Sequence, residues 1–325
     1  MLLLGLQYGG EVYPWDSATV ICLIVFGLVA YVVFFLAEWK LARYPIIPLR
    51  LFRKASTCAT LGVASAHGFS FVAGIYFLPF YFQIALGATP ILSAVWLLPY
   101  ALVLAAFSLF TGQLIKSTGR YVDLIIGGMA FATLGSGLFI DLPAYKSWPR
   151  IIIYQIIAAI GLGPNFQAPM IAIQTNITPA DIAVGTATFG LTRNLSSAIS
   201  IVIGGVIIQN RMNSHRNELL GAGIDEGLVD AIAGGAAGVS NKVLDQLTDA
   251  QRSIVSGAVA ESLSKMWIFY TCILFLGFLA ALGIGSVELS KKHEEHKTGL
   301  AVEEANRLAN AEKAADEEKA APAAE

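Results

Sequence analysis

Arg193 is the residue whose chemistry most needs explaining. It lies near the middle of the apolar run 183–209, among small and aliphatic neighbours. An arginine at the centre of a membrane-crossing helix costs from about 3 to above 10 kcal/mol before compensation, so it must face protein or water. A cation fixed at that depth has three uses. It lines a central cavity and binds anionic groups of a substrate, it pairs with another part of the assembly, or it is a structural partner for carbonyls and nearby amides. A second polar set, Asn165 and Gln167, follows Gly161, Gly163 and Pro164, with Pro169 just beyond. Such a run breaks a helix and frees backbone groups, which in transporters often form substrate sites. The glycines serve equally well for close helix packing.

The remaining candidates are weaker. Gln83 and Gln174 lie nearer the ends of their runs, where a solvated side chain is the default. The aromatics Phe69, Phe71, Tyr76, Phe77 and Tyr81 suit contact with an apolar substrate, although most such rings face lipid or core. His67 is a lone histidine and reads better as a packing residue than as a proton relay. No Asp or Glu lies deep within a complete run; Asp123, Asp141 and Asp181 are all at boundaries. Proton coupling usually needs a titratable group in the pathway, so no proton carrier is evident here. Cys22, Cys58 and Cys272 are scattered without metal spacing, and neither metal nor cofactor is expected. No paired acids, histidine cluster or nucleophile with a base is present, so an intramembrane enzyme ranks last.

The elements that position these residues are membrane spans. Hydrophobic residues make up 56% of the chain and charged residues 14%, where soluble domains carry about 25% charge. The charges are segregated into loops and tail, and nothing in them suggests nucleic-acid binding. Seven apolar runs are long enough to cross a bilayer: 17–37, 59–86, 91–115, 122–140, 151–175, 183–209 and 266–287. The expected fold is an all-α polytopic bundle in the lipid bilayer. A helix stub and outer loop (1–16) precede six spans (17–209). A long extracytoplasmic loop follows (210–265), with an amphipathic helix opened by the capping box at Thr248–Gln251. The last span (266–288) leads to a charged cytoplasmic tail (289–325). Orientation comes from the basic loops, which favour the cytoplasm. Lys40, Arg43, Arg50, Arg53 and Lys54 crowd one short loop, and Lys116 and Arg120 another. Asn176-Ile-Thr178 and Asn194-Leu-Ser196 match the glycosylation pattern but fall inside and within the membrane.

The turn after the third run, Gly112-x-Leu114-x-x-x-x-Gly119-Arg120, resembles the cytoplasmic loop motif of the major facilitator superfamily. Lys116 occupies the family's acidic position, and Tyr121 stands where a second cation is usual. Further stretches resemble the fungal fourteen-span drug:proton antiporters, which include toxin and secondary-metabolite efflux pumps. These are 3–15 (LLGLQYGGEVYPW), 48–52 (PLRLF), 76–83 (YFLPFYFQ), 161–169 (GLGPNFQAP) and 193–200 (RNLSSAIS). The resemblance covers about 3–287 in the family's order and implies the end of span seven through span fourteen. It also implies efflux of small amphipathic organic substrates, coupling to protons, and a plasma-membrane location. On this reading the six-span N-terminal bundle, with its coupling carboxylates, is missing or supplied by a second polypeptide. The alternative is a truncated membrane protein that does not transport and acts as a scaffold or partner subunit.

Overall fold

The computed structural model describes residues 16–40, 49–178, 181–233 and 247–285, with positions 1, 4, 5, 8, 9 and 13 near the start. The tail and most of the first loop lie outside the described residues. The described chain is helical. In order it contains α1 (Ala18–Lys40), α2 (Ala55–Ile84), α3 (Pro90–Trp96), α4 (Leu98–Thr118), α5 (Val122–Leu138) and α6 (Trp148–Leu162). Then come α7 (Ala168–Asn176), α8 (Ile182–Ser214), α9 (Arg216–Gly221), α10 (Glu226–Ala233) and α11 (Asp249–Leu282). Six helical stretches are long and apolar enough to cross a membrane, among them α6 and α7 taken together. α1 adds a further apolar helix, with Val25, Phe26, Leu28, Val29, Val32 and Val33 exposed around it. A helix apolar on all sides suits lipid. So does the outward display of Ile91, Leu102 and Leu109, each more than 60% exposed. The chain is a multi-pass membrane protein.

Several boundaries differ from the apolar runs. The third run, 91–115, is not one helix. Pro99 has no amide to donate to Val95, so the chain breaks at Leu97. Thr89 caps the separate helix α3, its hydroxyl accepting from the Leu92 amide at 3.3 Å. α8 runs to Ser214, beyond the run's end at Gln209. The segment drawn as an interfacial helix before a span starting at Met266 is instead one helix, α11, opening at Asp249. Its capping box is present, with Thr248 and Gln251 bonded reciprocally. Polar Arg252, Glu261 and Lys265 end the apolar pattern without ending the helix, because no Gly-Pro signal interrupts it.

Packing centres on α2, which meets α8 along one seam and α11 along another, while α5 packs on α6 and α11. The α2–α8 seam is a ladder of hydroxyls. Ser196 Oγ donates to Ser65 Oγ at 2.9 Å, Ser197 Oγ to the Gly68 carbonyl at 3.1 Å and Ser200 Oγ to the Phe69 carbonyl at 2.7 Å. Tyr270 of α11 donates to the Ser200 carbonyl at 2.7 Å. Gly68 permits this approach, since a Cβ there would lie 2.6 Å from the Arg193 carbonyl. At the end bearing Lys54 and Arg120, Lys54 donates to the Asn176 carbonyl at 2.6 Å and Ser56 accepts from the Gly285 amide at 3.1 Å. At the other end, Arg216 joins α9 to α10 through Glu226 at 3.0 Å and through Asp230. His215 meets Glu218 at 2.9 Å there.

Two glycines separate packing from propensity. Gly68→Ala forces the seam apart and lowers stability by about 1–3 kcal/mol. At Gly112 an added Cβ meets nothing within 4 Å, so Gly112→Ala leaves stability unchanged or raises it by up to about 1 kcal/mol. Thermal unfolding of the detergent-purified variants measures both.

Candidate functional site

The seam places Arg193 between two phenyl rings. Its guanidinium carbon lies 5.4 Å from the centre of the Phe166 ring and 5.7 Å from that of Phe189. Phe189 stands one turn earlier on the same face of α8. Phe166 comes from the 3₁₀ turn Pro164–Phe166, between α6 and α7. Pro164 and Pro169 each lack an amide, so the helix 148–176 cannot run straight through this point. The Phe166 ring is shared: His67 of α2 meets it edge-on at 4.6 Å and Phe71 at 4.8 Å.

These residues come from three elements at one depth. Arg193 is 11 residues into α8 and His67 is 12 into α2, about 17–18 Å from the basic end. Phe166 precedes the end of α7 by 10 residues, about 15 Å. In a hydrocarbon core about 30 Å thick, that is close to the middle.

The electrostatics are lopsided. Among the described residues, Arg193 makes neither an ion pair nor a hydrogen bond, and it is half-buried. Each ring contact contributes about 0.5–2 kcal/mol, which offsets only part of the cost of a cation at this depth. Among the described residues, none takes up the remaining donors. Two buried acceptors near the break, one of them on His67 beside the Phe166 ring, also lack hydrogen-bond partners. His67 Nε2 lies 3.2 Å from the Leu162 carbonyl, so in the neutral ring it carries the proton and Nδ1 is a bare acceptor. Asn165 Nδ2 donates to the Gly161 carbonyl at 2.9 Å. His67 Nδ1 and Asn165 Oδ1 are both buried without a hydrogen-bond partner.

The structure gathers Arg193, His67 and Phe71 around Phe166, while the Asn165 amide bonds Gly161 and faces Gly128 of α5. Gln167 adjoins Phe166 in the break and is exposed. Gln83 and Tyr76 are not brought to this cluster: Gln83 donates to Ser93 at 3.1 Å, and Tyr76 is exposed beside Phe77. Tyr76 is 9 residues past His67 on α2, about 14 Å further along. Phe69 meets Phe269, Phe77 meets Tyr270, and Tyr81 donates to the Pro143 carbonyl at 2.6 Å, each away from Arg193. Gln174 donates to Thr186 at 3.2 Å. The break glycines face neighbouring helices: a Cβ on Gly161 would overlap the Ala132 backbone of α5, and one on Gly163 would lie 2.7 Å from Phe107 of α4. Both glycines therefore serve close packing as well as the break. The loop-motif residues lie at the far end of α4. Gly112 and Leu114 are in its last turns, Gly119 ends it with φ +72°, and Arg120 pairs with Asp123 at 2.6 Å. Phe166 and Phe189 were not among the sequence candidates. The available signal was Phe189 four residues before Arg193, and Phe166 between Asn165 and Gln167.

Long lipid-compatible helices packed along a hydroxyl-rich seam define a polytopic membrane bundle. No family model matches the chain. Over 300 residues, 92% of its length, the chain is 47% identical to "Efflux pump dotC" of Dothistroma septosporum, and it covers 51% of that protein. It is 43% identical over 307 residues to "MFS-type transporter ppz2" of Metarhizium majus, covering 94% of this chain and 53% of that one. It is 40% identical over 326 residues to an "MFS-type transporter" of Aspergillus terreus, covering 96% and 57%. The chain spans about half the length of these curated relatives. Over that length it belongs with the MFS-type transporters, in the major facilitator superfamily.

Among the described residues Arg193 has ring contacts but neither an ion pair nor a hydrogen bond, so its removal relieves more cost than the contacts it loses. Arg193→Met keeps or raises the melting temperature of the purified protein. A fall of several degrees would show that the guanidinium holds the seam together.

Proposed function

We propose that this chain supplies the C-terminal half of an efflux transporter that carries small amphipathic organic compounds across a membrane. The observation that carries this reading is Arg193 at mid-depth, without an ion pair or hydrogen bond among the described residues, beside a helix break and two aromatic rings. A cation in that position is costly unless it faces a watered path, and a carrier provides one. The similarity to efflux pumps supports the same reading. The turn at Lys116–Arg120 and the tail face the cytoplasm, and the segment after α8 faces outward. The plasma membrane is the proposed location. Coupling is to protons, with the titrating carboxylates outside this chain, since none lies deep in its described helices. A carrier of this fold rocks two halves about a midplane site, so the chain works with a second six-span bundle and performs no covalent chemistry.

The test is export from yeast lacking its own drug exporters. This chain is joined behind the N-terminal half of the Dothistroma pump, and retention of a fluorescent amphipathic dye is followed. The fusion lowers retention, and a protonophore abolishes the effect. Retention equal to that in cells with an empty vector would contradict the carrier reading.

A further inference from the structure

We propose that Arg193, Phe166 and Phe189 form a subsite for an anionic group carried on an aromatic ring, such as a ring carboxylate or phenolate. This deepens the carrier reading above and rests on it. Three features point to that ligand. First, the guanidinium carries five N–H donors in a planar fork, none of them spent on a described residue. A carboxylate takes two of those donors at once, and charge-assisted bonds of that kind are roughly twice as strong as neutral ones. Second, the surroundings are aromatic rather than acidic. Phe166 and Phe189 lie against the cation, Phe71 packs on Phe166, and no carboxylate is among the described residues around it. A flat ring can stack against these faces or against the guanidinium itself. Third, His67 Nδ1 is a buried acceptor without a hydrogen-bond partner, on a residue 0% exposed, and the His67 ring lies edge-on to Phe166. A buried acceptor left bare is unfavourable, and a ligand hydroxyl, or a water carried with it, removes that cost. The cluster therefore offers donors to an anion and one acceptor to a neighbouring hydroxyl, on an aromatic floor.

The same features disfavour two other occupants. A wholly apolar substrate would cover the guanidinium and strip it of water with nothing in return. A cationic one would meet like charge in a low-dielectric setting.

The experiment compares two fluorescent probes that differ in charge and by one methyl group, 3-hydroxy-2-naphthoate and its methyl ester. Each is titrated against the full chain in phosphatidylcholine nanodiscs, with empty nanodiscs correcting for partition into lipid. The expected result is that the naphthoate binds the wild-type chain about ten- to hundredfold more tightly than the ester. In Arg193→Gln the two probes bind alike. Arg193→Lys keeps part of the preference, and Phe166→Leu weakens both probes together. Equal binding of the two probes by the wild type, or no binding of either, would overturn the subsite whatever the variants do. So would a preference that survives in Arg193→Gln. Export by the yeast fusion together with equal binding removes the subsite and leaves the carrier. A charge preference without export supports the subsite and removes the carrier.

Discussion

The close approach of α2 and α8 is the constraint on which the rest of the bundle depends. Three serines of α8 bond across to α2, and Gly68 gives up its side chain so that the α8 backbone can lie against it. In lipid there is little hydrophobic drive between helices, so small residues and hydroxyl bonds carry association. The bonds to the Gly68 and Phe69 carbonyls reach groups already used in the helix ladder. They add cohesion without breaking it, because a carbonyl has two lone pairs. The seam also decides where the cation goes. Arg193 presses its carbonyl and the first part of its side chain onto Gly68, which leaves the guanidinium at the open edge between Phe166 and Phe189.

The broken helix answers the seam from the other side. Were 148–176 a regular helix, Phe166 would occupy one fixed face of a straight rod. Pro164 and Pro169 instead place it on a short 3₁₀ turn, where it meets His67, Phe71 and Arg193 at once. The cost of the break is met locally. Asn165 bonds the Gly161 carbonyl, His67 bonds the Leu162 carbonyl, and the Gly163 amide still reaches Ala159. His67 thus supports the break through one nitrogen, but its other nitrogen is buried without a hydrogen-bond partner, which a purely packing histidine would not leave bare.

Much of this was legible in the sequence because membrane spans are written in hydropathy, and the break was written in Gly161, Gly163, Pro164 and Pro169. Arg193 was legible for the same reason: a charge in an apolar run stands out. What escaped were features with no compositional contrast. Phe166 and Phe189 are two phenylalanines among 18, and only the fold shows which of them meet a cation. The serines of 196–200 looked like part of a family pattern, and their role as a clasp needs a partner helix to be seen. Gln83 and Tyr76 failed to join the cluster because depth along a helix, and not polarity, decides what meets at the centre. Leu97 broke the third run through Pro99, a signal that hydropathy averages away. Arg252, Glu261 and Lys265 masked the true start of α11, because charges mark the edge of the membrane and not the end of a helix.

The central claim is that position 193 faces a watered cavity at mid-membrane. The direct test replaces the three native cysteines with serine and introduces Arg193→Cys or, as a control, Leu276→Cys. Leu276 is 60% exposed on α11 among exposed apolar neighbours. Membranes are treated with a charged, lipid-impermeant methanethiosulfonate, which reacts only where water reaches the thiol. The expected result is modification at 193 and none at 276. A thiol at 193 that resists the reagent as fully as one at 276 would contradict it, and would place Arg193 among the structural residues of the bundle.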